Sequence, residues 1–256
     1  MDHYEYRGLI AQSWDLLRGD TSGWADRPFW RRLIDQSGQP ALDVGCGTGR
    51  ILLDYLAQGI EIEGVDNSPD MLALCRRKAA ALGLRPVLYQ QEMDALDLPR
   101  RYRTIVVPSS SFQLVLDRAA AAQTLRRFLG HLEPGGTLAM SIMTLSQEGD
   151  PDKWRLVRER TRPEDGLLVR RWSRSRYDPT TQLEHTADRY ELLEGDQIVQ
   201  SELHERSPAT RSYTQGGIAE LVARSGFADV RLVSGFSDQP VKPDDTLFCV
   251  EARKPG

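Results

Sequence analysis

The run Ala41-Leu42-Asp43-Val44-Gly45-Cys46-Gly47-Thr48-Gly49 constrains the fold more than any other stretch of the chain. A short, mostly apolar strand leads into three alternating glycines, and Ile51, Leu52, Tyr55 and Leu56 then recur at helical spacing up to Gly59. Strand, glycine turn and helix in that order make half of a β-α-β unit. The glycines permit positive φ and close approach of a ligand to the main chain, while the first turn of the helix offers amides that lack internal partners. The turn is therefore suited to a polar ligand lying across the end of a strand. Its spacing is Gly-x-Gly-x-Gly, which differs from the Gly-x-Gly-x-x-Gly of dinucleotide turns.

Two acids give the turn a sign. Asp43 stands beside it, where a pyrophosphate would be repelled and an amino group attracted. Asp66 ends the next strand, Ile60 to Val65, at a position from which a carboxylate can accept both hydroxyls of a ribose. Ser68-Pro69-Asp70 then begins a helix that runs to Leu82 and stops at Gly83. Strands are expected at 86–90 and 104–107, a helix at 117–132, a Glu133-Pro134-Gly135-Gly136 turn and a fifth strand at 137–143. The tail adds a helix at 214–225 and strands at 229–233 and 246–252, with no helix between the last two. Those two strands are expected to be antiparallel, because a parallel pair needs a longer crossover. The whole predicts an α/β, doubly wound, seven-stranded sheet, mostly parallel with a reversed last strand.

The stretch from Asp43 to Gly49 resembles the first motif of the class I S-adenosylmethionine-dependent methyltransferases of small-molecule type, a Rossmann-like family. The resemblance covers residues 40 to about 145 and again the last third. It implies S-adenosyl-L-methionine as cofactor and S-adenosyl-L-homocysteine as product. Gly45, Cys46, Gly47 and Gly49 would then pack against its methionine part, Asp43 would face its amino group and Asp66 would hold the ribose, with Asn67 and Met71 beside it. Gln91-Glu92-Met93-Asp94 resembles the third motif, in which Glu92 meets the adenine amino group and Met93 stacks on the ring; a register two residues later gives that place to Asp94. Pro108 and Ser109 follow the fourth strand at the cofactor. Ala11-Gln12-Ser13-Trp14-Asp15 is similar to the Ala-x-x-Tyr-Asp that precedes the core in many such enzymes. This implies a lid helix, with Tyr4, Tyr6 or Trp14 against the sulfonium and Arg18 meeting the cofactor carboxylate.

The acceptor side is less determined. Ser110, Phe112 and Gln113, in the serine-rich loop after the fourth strand, stand where the methyl group should point, as candidate substrate contacts. Nucleic-acid amine methylases carry Asn/Asp-Pro-Pro-Tyr/Phe there, so base methylation is disfavoured. A small-molecule acceptor is the expected partner, through nitrogen or oxygen and by direct in-line displacement. A hydroxyl acceptor calls for a general base and a neutral amine does not. Of His3, His131, His185 and His204, the last two are the better base candidates, His131 being placed in a surface turn. No histidine–carboxylate cluster has metal-ligand spacing.

Residues 149–212 interrupt the pattern. Strands are expected at 167–176, 181–193 and 198–206, forming a small antiparallel sheet between a unit at 1–148 and a completing segment at 213–256. By resemblance the insertion shapes an acceptor pocket or a dimer interface, so the protein is expected as monomer or homodimer. Residues 151–176 carry eight arginines and one lysine against four acids, while 177–210 carry eight acids against two arginines. That division means either a basic surface for an anionic substrate or cross-strand charge pairing.

Composition sets outer bounds. A net charge of −4 over 256 residues argues against wholesale nucleic-acid binding, and no apolar run reaches the length of a membrane span. Three cysteines without framework or zinc spacing, and an N-terminus lacking a signal-peptide pattern, suggest a reducing, cytoplasmic setting. Two competing functions stay open. An NAD(P)-dependent oxidoreductase shares the architecture, but no tyrosine has the lysine four residues on that short-chain dehydrogenases use. A catalytically silent, methyltransferase-like binding protein would keep the same cofactor residues.

Overall fold

The computed structural model describes residues 6–146 and 149–256, so Tyr4 and His3 lie outside the described residues. In chain order the elements are α1 (Gly8–Arg18), α2 (Asp26–Ser37), β1 (Ala41–Val44), α3 (Leu52–Ala57), β2 (Ile62–Asp66), α4 (Pro69–Ala81), β3 (Leu88–Gln90), β4 (Tyr102–Val107), α5 (Arg118–His131) and β5 (Leu132–Met143). There follow β6 (Arg155–Thr161), β7 (Leu168–Asp178), β8 (Leu183–Glu194), β9 (Gln197–Arg211), α6 (Gln215–Arg224), β10 (Ala228–Ser234) and β11 (Leu247–Arg253).

Seven strands form one sheet in the order β10-β11-β5-β4-β1-β2-β3. Pairs β1–β2, β1–β4, β2–β3 and β4–β5 are parallel, while β11 runs antiparallel to both β5 and β10. The reversed last strand is as expected. Strand order reverses at β1, between β2 and β4, which is where a doubly wound sheet opens a crevice beyond its carboxyl ends. The central strands are buried on both faces and divide their side chains by the period of two. Leu42, Val44, Ile105 and Val107 pack with Leu125 and Phe128 of α5 and Ile218 and Val222 of α6. Ala41 and Val106 pack with Trp30 and Ile34 of α2, Leu52 of α3 and Leu72 of α4. The starts of α4, α5 and α6 are set locally: Ser68 Oγ accepts from Met71 N (3.1 Å), Asp117 Oδ1 from Ala120 N (2.8 Å) and Thr214 Oγ1 from Gly217 N (3.1 Å).

Three elements differ from expectation. Helix α2 was not anticipated, although Phe29, Trp30, Leu33 and Ile34 give it a buried face. Strand β6 was not anticipated because every residue in it is exposed, so an edge strand carries no alternation to read. Strand β5 begins at Leu132: Tyr102 pairs with Leu132 and Thr104 with Thr137, so the Glu133–Gly136 turn is a bulge inside the strand.

The insertion is a four-stranded antiparallel sheet, β6-β7-β8-β9. One face carries α1, with Leu9, Ile10 and Leu17 against Val169, Tyr190 and Leu192. Four of its arginines are paired with acids: Arg170 with Glu159 (2.8 Å), Arg171 with Asp188 (3.1 Å), Arg176 with Asp152 (3.0 Å) and Arg162 with Asp165. Of these pairs Arg171–Asp188 joins the basic segment to the acidic one across strands, and Arg170–Glu159 joins two strands within the basic segment. Among the described residues no helix is long and apolar enough to cross a membrane, and no group of three or more histidine, cysteine or acidic side chains could hold a metal.

Candidate active site

A cavity of about 560 Å³ opens at the carboxyl ends of β1, β2 and β4. Its floor is the glycine turn. Gly45, Gly47 and Gly49 all have positive φ (71°, 54° and 84°), and Gly47 N donates to Asp66 Oδ2 at 2.9 Å, tying the turn to the end of β2. Gly45 must lack a side chain because a Cβ there would sit 2.8 Å from Ser111 Oγ. Gly49 does not line the cavity: a Cβ on it would meet Cys75 Sγ at 2.6 Å and Leu53 at 2.8 Å, so it is a packing glycine. The expectation that it contacts the ligand is corrected on that ground.

Asp43 lies on the cavity wall, 2% exposed, and its Oδ1 has no hydrogen-bond partner. Burial pushes its carboxyl up to about 7, against the opposing pull of the Arg50 guanidinium. A buried carboxyl with an unpaired oxygen is an acceptor awaiting a donor. Asp66 is also held above its ordinary value by burial, although its oxygens accept from Ser68 N and Gly47 N at 2.9 Å each. Asn67 Nδ2 donates to Glu92 (3.1 Å), and Cys46, Met71, Met93, Asp94, Pro108 and Ser109 complete this side of the wall. Ser109 and Ser110 share φ near +57°, so the backbone is bent sharply where the loop meets the cavity.

The lid side is more occupied than expected. Trp14 and Tyr6 both line the cavity and meet edge to face at 5.0 Å, but Arg18 lies 4.5 Å over the Trp14 ring and Arg206 lies 4.4 Å over Tyr6. Each ring already has one guanidinium on it. Arg18 also reaches Ser109 Oγ at 3.4 Å, and burial, then the neighbouring Arg50, hold its proton affinity down. Such a guanidinium favours an incoming carboxylate. Arg50 in turn is paired with the buried Asp26 of α2 (3.0 and 2.5 Å).

On the acceptor side the structure keeps Ser110 at the cavity and removes two other candidates. Phe112 is wholly buried in the core beside Tyr213. Gln113 is buried and fully engaged, donating to Met143 O (2.9 Å) and Arg211 O (2.7 Å) and accepting from Met143 N (2.7 Å). It clamps the ends of β5 and β9 together. The histidines are corrected likewise, since none of the described ones lines the cavity. His204 Nε2 sits 3.1 Å from Glu202, His185 lies on β8 opposite Arg176, and His131 ends α5 with its ring between Leu98 N and Arg127 O. Sequence reasoning missed Thr48, Arg50, Leu114 to Asp117, Ala120, Met143, Arg206 and Thr210 on the wall. Thr48 and Arg50 flank Gly49 and were within reach of a closer reading of the turn; the rest depend on tertiary packing.

Comparison with known proteins bears on this geometry. Residues 41–136 match the family model of a methyltransferase domain. Over that stretch the chain resembles a methyltransferase domain. Its relatives include a demethylmenaquinone methyltransferase of Thermus thermophilus, 35% identical over 137 residues that make up 51% of this chain and 61% of that protein. A dTDP-3-amino-3,6-dideoxy-alpha-D-glucopyranose N,N-dimethyltransferase of Streptomyces fradiae is 31% identical over 142 residues, 53% of this chain and 54% of the relative. The chain thus spans little more than half the length of these curated relatives. The structure of the CcbJ methyltransferase from Streptomyces caelestis shares the fold over the full length of both chains, with a TM-score of 0.78 at 22% identity. The residues on the cavity fit S-adenosyl-L-methionine: a buried carboxyl with an unpaired oxygen for an ammonium, a strand-end acid for a ribose and a shielded guanidinium for a carboxylate.

Proposed function

We propose that the protein transfers a methyl group from S-adenosyl-L-methionine to a nitrogen or oxygen atom of a small-molecule acceptor. The observation that carries the reading is Asp43, a buried cavity carboxyl with an unpaired oxygen beside a Gly-x-Gly-x-Gly turn. A pyrophosphate in that position would meet a buried acid, which disfavours a nicotinamide cofactor. When bound, S-adenosylmethionine supplies a methyl group already activated on a sulfonium and open to in-line displacement by the acceptor's lone pair. In this reading Asp43 holds the amino group, Asp66 the ribose hydroxyls, Glu92 and Met93 the adenine, and Arg18 the carboxylate. The protein then contributes positioning and exclusion of water. Residues 149–212 close the cavity from the side through Arg206 and Thr210, and residues 1–148 and 213–256 build the cofactor-binding sheet.

Thermal unfolding tests the cofactor. S-adenosylmethionine or S-adenosylhomocysteine at a hundred times its Kd is expected to stabilise the folded protein by about 2.7 kcal/mol, with no response to NAD. Equal shifts with both ligands defeat the reading. Turnover is tested by a methyl-transfer screen over amines, phenols, carboxylates and thiols, reading the demethylated cofactor. Because no described histidine lines the cavity, amines are the expected acceptors, and His185→Ala and His204→Ala should each keep kcat within about threefold. A hundredfold loss in either, with cofactor affinity unchanged, would restore a histidine base.

A further inference from the structure

Asp15 stands outside the cavity, yet it joins two walls that enclose it. Its neighbours Trp14 and Arg18 line the cavity from α1, while its own carboxylate turns to the glycine turn. Thr48 Oγ1 donates to Asp15 Oδ1 at 2.6 Å, and Lys78 Nζ of α4 lies 2.8 Å from Asp15 Oδ2 and 3.5 Å from Thr48 Oγ1. Thr48 lies between Gly47 and Gly49, is 2% exposed and is itself on the cavity wall. The two bonds of Asp15 are unequal. The Lys78 pair is exposed at both side chains, 40% and 45%, where solvent and salt screen it. The Thr48 bond is sheltered and charge-assisted, so it carries most of the attachment.

On the reading that the cavity holds S-adenosylmethionine, we propose that Asp15 is a positioning residue: through the Thr48 hydroxyl it latches the lid helix to the glycine turn and so sets how long the cofactor stays bound. The other anchors of α1 hold different walls. Gly8 N donates to Asp70 of α4 (3.0 Å) and Leu9 N to Glu202 of β9 (2.8 Å) at its start, and Leu17 O accepts from Arg158 of β6 (3.1 Å) near its end. Those contacts fix the ends of the helix to α4 and the insertion sheet; Asp15 fixes its middle to the turn beneath the ligand. With the latch broken, Trp14 and Arg18 spend part of their time away from the wall. The apparent affinity then falls in proportion to the closed fraction.

The test is a mutant cycle read by calorimetry and by stopped-flow release of S-adenosylmethionine and S-adenosylhomocysteine. Asp15→Ala and Thr48→Val are each expected to raise the cofactor Kd about ten- to a hundredfold, mainly through faster release, since a bond to a charged group is what each removes. The melting temperature of the ligand-free protein should fall by less than about 4 °C. The double variant should be no worse than either single one. Asp15→Asn keeps an acceptor for the hydroxyl and should fall between wild type and Asp15→Ala, and Thr48→Ser should recover most of what Thr48→Val loses. Wild-type release rates in Asp15→Ala, or additive losses in the double variant, overturn the latch. Should the wild-type protein bind neither ligand, the cofactor reading fails instead. If Asp15→Ala does not fold, Asp15→Asn and Thr48→Ser decide by the same release rates.

Discussion

Asp43→Asn is expected to stabilise the ligand-free protein at pH 8 and, in the same preparation, to weaken S-adenosylmethionine binding about a hundredfold or more. Both effects come from one buried carboxyl. In the folded chain burial raises Asp43 to about 7 from an ordinary value of 3.8. Below about pH 4 it is protonated whether folded or unfolded, and contributes no difference. Between about 4 and 7 the unfolded chain ionises first, so stability falls as pH rises; above 7 the full cost is present. A shift of that size corresponds to roughly 4 kcal/mol, and asparagine should recover about 1–3 of it because its amide still lacks a partner. Binding runs the other way. An ammonium requires the carboxylate, so wild-type affinity should rise about tenfold per pH unit up to about 7 and then level, while Asp43→Asn should lose that slope. Chemical denaturation at pH 5 and 8, with calorimetry across the range, measures both. A variant less stable than wild type at pH 8, or one that retains the pH slope of binding, removes Asp43 from the role assigned to it.

Asp43 also shows what the sequence makes legible. Its place near the end of an apolar strand, two residues before Gly45, is local information, and so is Asp66 at the end of the next strand. Main-chain geometry at strand ends depends on few residues, and the glycine spacing restricts it further. The β sheet and its reversed last strand were readable for the same reason, since alternating periods and short connections are local signals. Side chains that reach the cavity from a distance were not. Phe112 and Gln113 sit in the loop where an acceptor contact is expected, but a turn of 3-10 helix at Ser111–Leu114 rotates both into the core. That rotation is fixed by what they meet there, Tyr213, Met143 and Arg211, which lie 30 to 101 residues away.

The lid illustrates a second limit. A tryptophan on an N-terminal helix is a reasonable partner for a cation, and Trp14 does have one, but it is Arg18 one turn further along the same helix. Sequence spacing placed both residues on one face without revealing that they would satisfy each other. The arginine-rich half of the insertion behaves in the same way. Arg170 and Arg171 find acids on the two neighbouring strands, and register, not composition, decides which arginines of a basic run do so.

The three glycines of the opening turn separate into different roles, and Gly49→Ala against Gly47→Ala is expected to show it. At Gly49 a methyl would stand 2.6 Å from Cys75 Sγ and 2.8 Å from Leu53, two buried groups, at a φ of +84°. Overpacking and left-handed strain together should cost about 2–4 kcal/mol and lower the melting temperature by roughly 5–15 °C. Any loss of cofactor affinity would follow from that disturbance, because Gly49 is off the cavity wall. At Gly47 the φ of +54° is the left-handed value least costly for an L residue, and a Cβ meets nothing within 4 Å. Alanine there should cost about 1 kcal/mol of stability. Its methyl, however, is on the cavity wall, where a ligand must approach the main chain, so cofactor affinity should fall about tenfold or more. Melting curves with and without S-adenosylhomocysteine separate the two. Equal melting temperatures for the variants, or an unchanged ligand response in Gly47→Ala, would mean that the turn does not divide into a packing glycine and a ligand-facing one.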